Sequence, residues 1–394
     1  MAKLKQFRPL DWLKRNYLSV LIVAIILAVG AALYIQAHPA ETGNTDAPTE
    51  YIEYENAVVD KILTDSCEAD PVSEGAVRGE QTMTVKIQTG QYAGTTLLAD
   101  NTVGPIYGRA YAEGDGLTVG ISTFSDGTVR CYVYEYNRAP WLLVLIAVFL
   151  AVTVLVGGKT GLKSLVGLVL TVAALIWILL PLLLQGWDTI GTTFLICVLV
   201  ACASFVLLGG VNQKTVCATL GALAGIALAT VFGLLAQILL KIDGYRQEYA
   251  EALLQLRQTG ESAIGISGLV VAGVIISALG AVMDVAMSIS SAMQELIRVN
   301  PDLRRKDLLK SGMNIGRDMV GTMTNTLILA IMGSGLTLIV YIYSLGLQVN
   351  QLLSSSYMSL ELISALASSI GVILSVPLTA IICAAAYAGN KQSR

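Results

Sequence analysis

One stretch of this sequence repeats carboxylates, hydroxyls and carboxamides at a spacing that chemistry can use. Asp284, Ser288, Ser291 and Glu295 fall at i, i+4, i+7 and i+11, so on a helix they share one face. Beyond a basic loop that contains a proline, Asn314, Asp318, Gly321 and Asn325 repeat that spacing, with Arg317 and Thr322 beside them. Polar faces in otherwise lipid-grade sequence are costly and point to an ion or substrate path. The plainer alternative is that both are wetted helix ends, and serine, asparagine and glycine also serve ordinary helix packing. A carboxylate such as Asp284 can take a proton or stay ionised beside Arg317, and either state can couple protonation to helix movement. Serine, threonine and asparagine nearby can coordinate a small cation or line a polar cavity. The structural counterpart is an Asp284–Arg317 pair that staples the two helices. Glu361, followed by Ser364, Ser368, Ser375 and Pro377, is a further candidate near the outer end of the last helix.

Both polar faces are expected to turn toward each other. The joining loop is short enough to make the helices antiparallel neighbours. Facing lipid would leave several side chains unpaired at a cost of kilocalories each. Glycines 280, 316 and 321 would let the backbones approach along that seam. If the hydrocarbon core begins near Gly268, Asp284 lies about 24 Å along its helix, within the inner leaflet of a core about 30 Å thick.

Elements long enough to carry such faces follow from composition. Of 394 residues 55% are hydrophobic and only 13% charged, about half the charged share of a soluble domain, so the chain reads as an α-helical polytopic membrane protein whose partner is the lipid bilayer. A net charge of −3 and the lack of a basic patch interleaved with aromatics argue against nucleic acid. His38 is the only histidine, and Cys197, Cys202, Cys217 and Cys383 lie in apolar runs without metal-ligand spacing, so no metal, haem or other cofactor is expected.

The chain divides into three parts. Residues 1–36 hold a basic N-terminus and an apolar run from Tyr17 to Ile35, which reads as an uncleaved anchor rather than a signal peptide. Residues 37–139 form a polar linker and a small all-β domain outside the membrane. There Met83, Val85 and Ile87 alternate with polar residues, Leu117, Val119 and Ile121 do the same, and Asp126-Gly127 offers a hairpin turn. A barrel or sandwich of about five or six strands fits. Cys67 and Cys131 are its only cysteines, and they can form a disulfide or remain free thiols. Residues 140–394 supply helices at about 141–156, 165–184, 190–208, 216–240, 264–293, 313–343 and 358–388, which with the anchor make about eight spans. Lysine and arginine concentrate in alternate connections, including Lys159, Lys163, Lys214 and the run from Arg298 to Arg317, so both termini are expected in the cytoplasm.

Other motifs carry less. In GGKTG, Gly157 to Gly161, Thr153 occupies the place of the first P-loop glycine and an apolar helix precedes it instead of a strand. Ser267, flanked by Gly265 and Gly268, resembles a rhomboid-protease serine but lacks a base within reach. With no nucleophile–base pair, no enzymatic activity is expected. Gly221-x-x-x-Gly225 and Gly312-x-x-x-Gly316 read as close helix approaches.

Three stretches carry a family resemblance: SALGAVMDVAMSISSAMQE from Ser277, SGMNIGRDMVGTMTNTLILA from Ser311, and ELISALASSIGVILSVPLTA from Glu361. At these residues the chain resembles the YibE/F-like family of bacterial multi-pass membrane proteins, which implies a bacterial plasma-membrane location. A looser likeness, resting on Asp284, the basic loop and Arg317 with Thr322, Thr324 and Thr326, runs to the SecD/SecF branch of resistance–nodulation–division proteins, which couple proton movement to export. This chain departs from that branch by two further helices and a much smaller outer domain. Together these readings imply a transporter or permease, proton-coupled in the SecD/SecF sense, for a small ion or small molecule. The alternative is a non-catalytic accessory or assembly protein whose polar residues staple helices. Self-association or a paralogous membrane partner is expected in either case.

Overall fold

The computed structural model describes residues 51–124, 127–247, 249–260 and 262–389. The anchor, the linker around His38 and the tip of the Asp126-Gly127 turn lie wholly or partly outside them, so the structure counts neither the anchor nor eight spans. The chain divides into two compact units, with the boundary between Leu155 and Val156, inside the helical run that starts at Ala139.

The first unit is a barrel. Its strands are β1 (Tyr51–Asp65), the short β2 (Glu68–Ala69), β3 (Val77–Ile87), β4 (Thr96–Val103), β5 (Gly116–Thr123) and β6 (Val129–Tyr136). β1 pairs antiparallel with β5 through its first half and with β3 through its second. Register shifts between Val59 and Lys61 and between Ile62 and Thr64 bend it across the two partners. β3 pairs with β4, β5 with β6, and a parallel pairing of β4 with β6 closes the ring. Leaving out β2, the order is that of a five-stranded Greek-key barrel of the OB type. Alternation puts Ala57, Val59, Met83, Val85, Ile87, Leu117, Val119 and Ile121 inside, all buried. The polar Gln81 is buried among them, and its side-chain hydrogen-bonding capacity is fully used. Its amide donates to Asp65 Oδ2 at 3.0 Å and to the Tyr111 carbonyl at 3.2 Å, while its carbonyl accepts from Asn101 at 3.1 Å and the Tyr111 amide at 2.9 Å. Cys67 and Cys131 are both free thiols. Burial pushes each up to about 11, and the Asp65 carboxylate adds to the shift at Cys67.

The second unit is helical. Among the described residues five helices are long and apolar enough to cross a membrane, or six if one bent pair counts as a span. Ala139–Leu184 runs 46 residues, through α1 (Ala139–Ala174), a π-turn and α2 (Leu180–Leu184). Straight, it would be about 69 Å long, more than twice a hydrocarbon core. Gly158, at φ 54° and ψ −132°, breaks it, next to Lys159. The helices expected at about 141–156 and 165–184 are thus separated at Gly158, within the expected gap, with the second starting directly after the break.

α3 (Thr189–Gly209) starts where Asp188 accepts from the Gly191 amide, and α4 (Gln213–Leu239) where Asn212 accepts from the Thr215 amide at 2.9 Å. A connection expected to be loop contains α5 (Ala250–Gln258). Then come α6 (Leu269–Val299) and α7 (Arg305–Ser334), whose first turns take in Arg305, Lys306 and Lys310. The helix expected to continue to residue 343 instead ends at Gly335, where α8 (Leu336–Ser344) leaves at a bend of 64°. The short α9 (Val349–Leu353) precedes α10 (Ser356–Gly389), which contains Pro377.

The tightest packing joins α4, α6 and α10, and small residues make it. A Cβ on Gly221 would strike Thr379. One on Gly225 would come within 2.7 Å of Ser375 Cβ and 2.8 Å of Val282, and one on Gly371 within 2.7 Å of Ala229 Cβ. The first glycine pair expected to admit a close helix approach does so here.

Candidate functional site

α6 buries one side and exposes the other. Val282, Val285, Ala286, Ile289 and Met293 are buried at no more than 0% relative exposure, and at about 100° per residue they cluster on one arc. Asp284, Ser288 and Glu295 are exposed and Ser291 is half-buried, on the roughly opposite arc. α7 behaves alike. Leu308, Gly312 and Gly316 are its buried residues, whereas Asn314, Arg317, Asp318, Gly321, Thr322 and Asn325 are exposed.

The α6–α7 contact fixes how the two faces align. Gly312 sits against Met293, and Gly316 against Ile289 and, from α10, Val376. In an antiparallel pair, each step back along α6 is a step forward along α7. Ser291 is therefore level with Asn314, Ser288 with Arg317, Asp284 with Gly321, and Gly280 with Asn325. The polar sets are matched in depth but do not face each other. Each points away from the seam that joins its helix to the bundle. Of the three glycines expected to line that seam, only Gly316 does so; a Cβ on Gly280 or Gly321 would meet nothing within 4 Å. The expectation of a closed intrachain polar site is thereby corrected. Helical period groups residues on an arc, but it does not say which way the arc points.

Most side chains on these arcs lack partners. Among the described residues, Asp284, Ser288, Asn314, Arg317, Asp318 and Asn325 make no hydrogen bond or ion pair, so the Asp284–Arg317 staple is not formed. Glu295 lies 3.6 Å from Arg298 of its own helix. Thr322 and Thr326 donate to carbonyls one turn back, at 3.1 and 2.8 Å. Thr324 Oγ1 is buried with no hydrogen-bond partner.

At the other end of the bundle lies Glu361. Gly335 is 19 residues beyond Gly316, about 28 Å along α7, which brings it level with the start of α6. A Cβ on Gly335 would lie 3.7 Å from the Glu361 carboxyl carbon, so the carboxylate stands beside the α7–α8 break. A cleft of about 220 Å³ opens there, walled by Ile331, Met332, Leu338, Ala365 and the Glu361 side chain. Glu361 pairs with no cation among the described residues. The structure thus separates the predicted residues into a surface on α6 and α7 and, at the opposite end, a lone carboxylate.

Polar contacts inside the bundle escaped the reading by period. Ser277 and Ser368 hydroxyls meet at 2.5 Å between α6 and α10. Ser290 donates to the Lys214 carbonyl at 2.8 Å and meets the Tyr387 hydroxyl at 3.0 Å. Ser290 sits one residue off the exposed arc, and that offset from Ser291 was the available signal.

The family described as YibE/F-like protein matches residues 145–389, which covers α2 to α10 and most of α1. No curated protein and no solved structure matches the chain.

Proposed function

We propose a permease function for this chain, which belongs to the YibE/F-like family. Family and apolar helices together fit an integral membrane protein. In our reading it moves a small ion or small molecule across a bacterial plasma membrane, with the barrel outside, the basic turn between α6 and α7 in the cytoplasm, and proton coupling through Asp284.

One observation carries the reading: Asp284 stands exposed and unpaired on a helix long and apolar enough to cross a membrane, and Arg317 does so on α7, which is long and apolar enough only together with α8. Charged side chains at membrane depth face a water-filled cavity, a ligand or another polar group, because hydrocarbon leaves them without one. The break at Gly335 beside Glu361 supports it, since irregular backbone in membranes lines cavities.

The test is flux in proteoliposomes loaded with a pH-sensitive dye. Asp284→Asn keeps volume and removes the titratable charge, and should abolish pH-coupled flux while the protein still accumulates. Unchanged flux in both Asp284→Asn and Arg317→Gln would sink the permease reading. A second reading, an accessory or assembly protein, is favoured by the outward direction of the same side chains. It expects no flux from either chain and loss of a membrane partner from both variants.

A further inference from the structure

We infer that the polar faces of α6 and α7 are the contact surface for a second copy of this chain, in a parallel dimer about a two-fold axis along the membrane normal. The inference rests on the permease reading only for what the contact is used for.

Three features on the page argue for a copy of the same chain. First, the surface carries both signs. Asp284 on α6 and Arg317 on α7 are exposed, and neither has a partner among the described residues. A two-fold interface lays a patch on itself, so a surface with complementary charges on neighbouring helices is self-complementary. Second, the two arcs are matched in depth. An axis along the membrane normal preserves depth, so only residues at equal height meet across it. Asn314 is level with Ser291 and Arg317 with Ser288, while Asp284 is level with Gly321 and Asn325 with Gly280, so α7 of one copy can lie along α6 of the other with polar residues and glycines alternating through the contact. Arg317 is about four residues, or about 6 Å, from the level of Asp284, within the reach of an extended arginine. Each Arg317 then pairs with the partner's Asp284, and the pairing occurs twice. Third, Gly280 and Gly321, where a Cβ would meet nothing, lie on these faces and allow the backbones to come close.

Lipid in place of a copy would leave Asp284, about 24 Å along α6 from Gly268, without a counter-charge, a state membrane proteins avoid. The two-fold arrangement supplies Arg317 as that counter-charge without moving the α4–α6–α10 packing.

The experiment uses full-length protein in membranes. Two differently tagged copies are co-expressed, one carrying Ser291→Cys and the other Asn314→Cys, with Cys67 and Cys202 replaced, and a short bifunctional maleimide is added. A crosslink joining the two tags is expected. Asp284→Asn should make dimerisation about tenfold weaker, and the charge exchange Asp284→Arg with Arg317→Asp should recover most of it. The unsubstituted chain in nanodiscs, sized by mass photometry, keeps the test open if a cysteine variant fails to fold, and should show two copies.

Monomers in nanodiscs would overturn the inference. So would a crosslink formed only within one copy that carries both cysteines, or pairing only with a different protein. A dimer without flux leaves this inference standing and removes the permease reading. Flux from a monomer does the opposite.

Discussion

α6 belongs to two different environments within a few ångströms. On its inner side Val282 touches the Gly225 notch of α4, and Ser290 is bonded to the Lys214 carbonyl and to Tyr387. On its outer side Asp284 and Ser288 have no partner among the described residues. Polar atoms occur on both sides, so polarity alone does not distinguish them. Satisfaction does. The inner hydroxyls of α6, at Ser277 and Ser290, have acceptors and donors at hand and act as structure, while its outer groups at Asp284 and Ser288 have their hydrogen-bonding capacity unspent and are available to something else.

Glycine substitutions give the largest contrast. Gly225→Val pushes a side chain into Ser375, Val282 and the Gly371 carbonyl, and should cost about 3 kcal/mol or abolish accumulation of folded protein. Gly321→Val, where nothing lies within 4 Å, should stay within about 0.5 kcal/mol for the single chain. Thermal melts followed by size-exclusion chromatography would compare them. Equal losses would erase the distinction between the two sides.

The serine pair is subtler. Ser290→Ala removes the hydroxyl shared by the buried Tyr387 and the Lys214 carbonyl, leaves Tyr387 only the longer bond it donates to the Ser290 carbonyl at 3.3 Å, and should cost about 1 kcal/mol. Ser288→Ala, two residues away but on the outer arc, should leave the melting temperature almost unmoved.

The smallest stability change is expected at Asp284 itself. Without an Arg317 contact, Asp284→Asn should alter the stability of the single chain by less than about 0.5 kcal/mol. A loss of about 3–5 kcal/mol, recovered by adding Arg317→Gln, would instead reveal the intrachain staple and close the gap between the faces.

How far the sequence reaches can be judged residue by residue. Alternation at Met83, Val85 and Ile87 and at Leu117, Val119 and Ile121 announces strands, because inward and outward positions in a sheet differ by one residue. It does not announce that β4 and β6 close the ring in parallel, since pairing between distant strands leaves no local mark. The apolar runs place α3, α4, α6 and α10 to within a few residues. They leave a break between 156 and 165, where Gly158 lies, but miss the bend at Gly335, because a glycine in an apolar run looks the same whether it packs a helix or breaks it. The same limit governs the candidate site. The residues on each polar arc were legible, and the direction of the arcs was not, because it depends on Met293 and Ile289 seating Gly312 and Gly316.

The closure of the barrel has a mechanical consequence. β3 and β4 pair from Gly79 with Val103 to Lys86 with Thr96, but β4 and β6 meet only at Ala99 with Cys131 and Asp100 with Tyr132. A ring held along most of its circumference and joined by so short a stitch will breathe at that stitch first. Amides of β4 and β6 beside it should exchange with solvent ahead of those in β3. When the lip parts, it bares two strand edges and the Cys131 thiol, so a thiol reagent would report each opening in the intact chain.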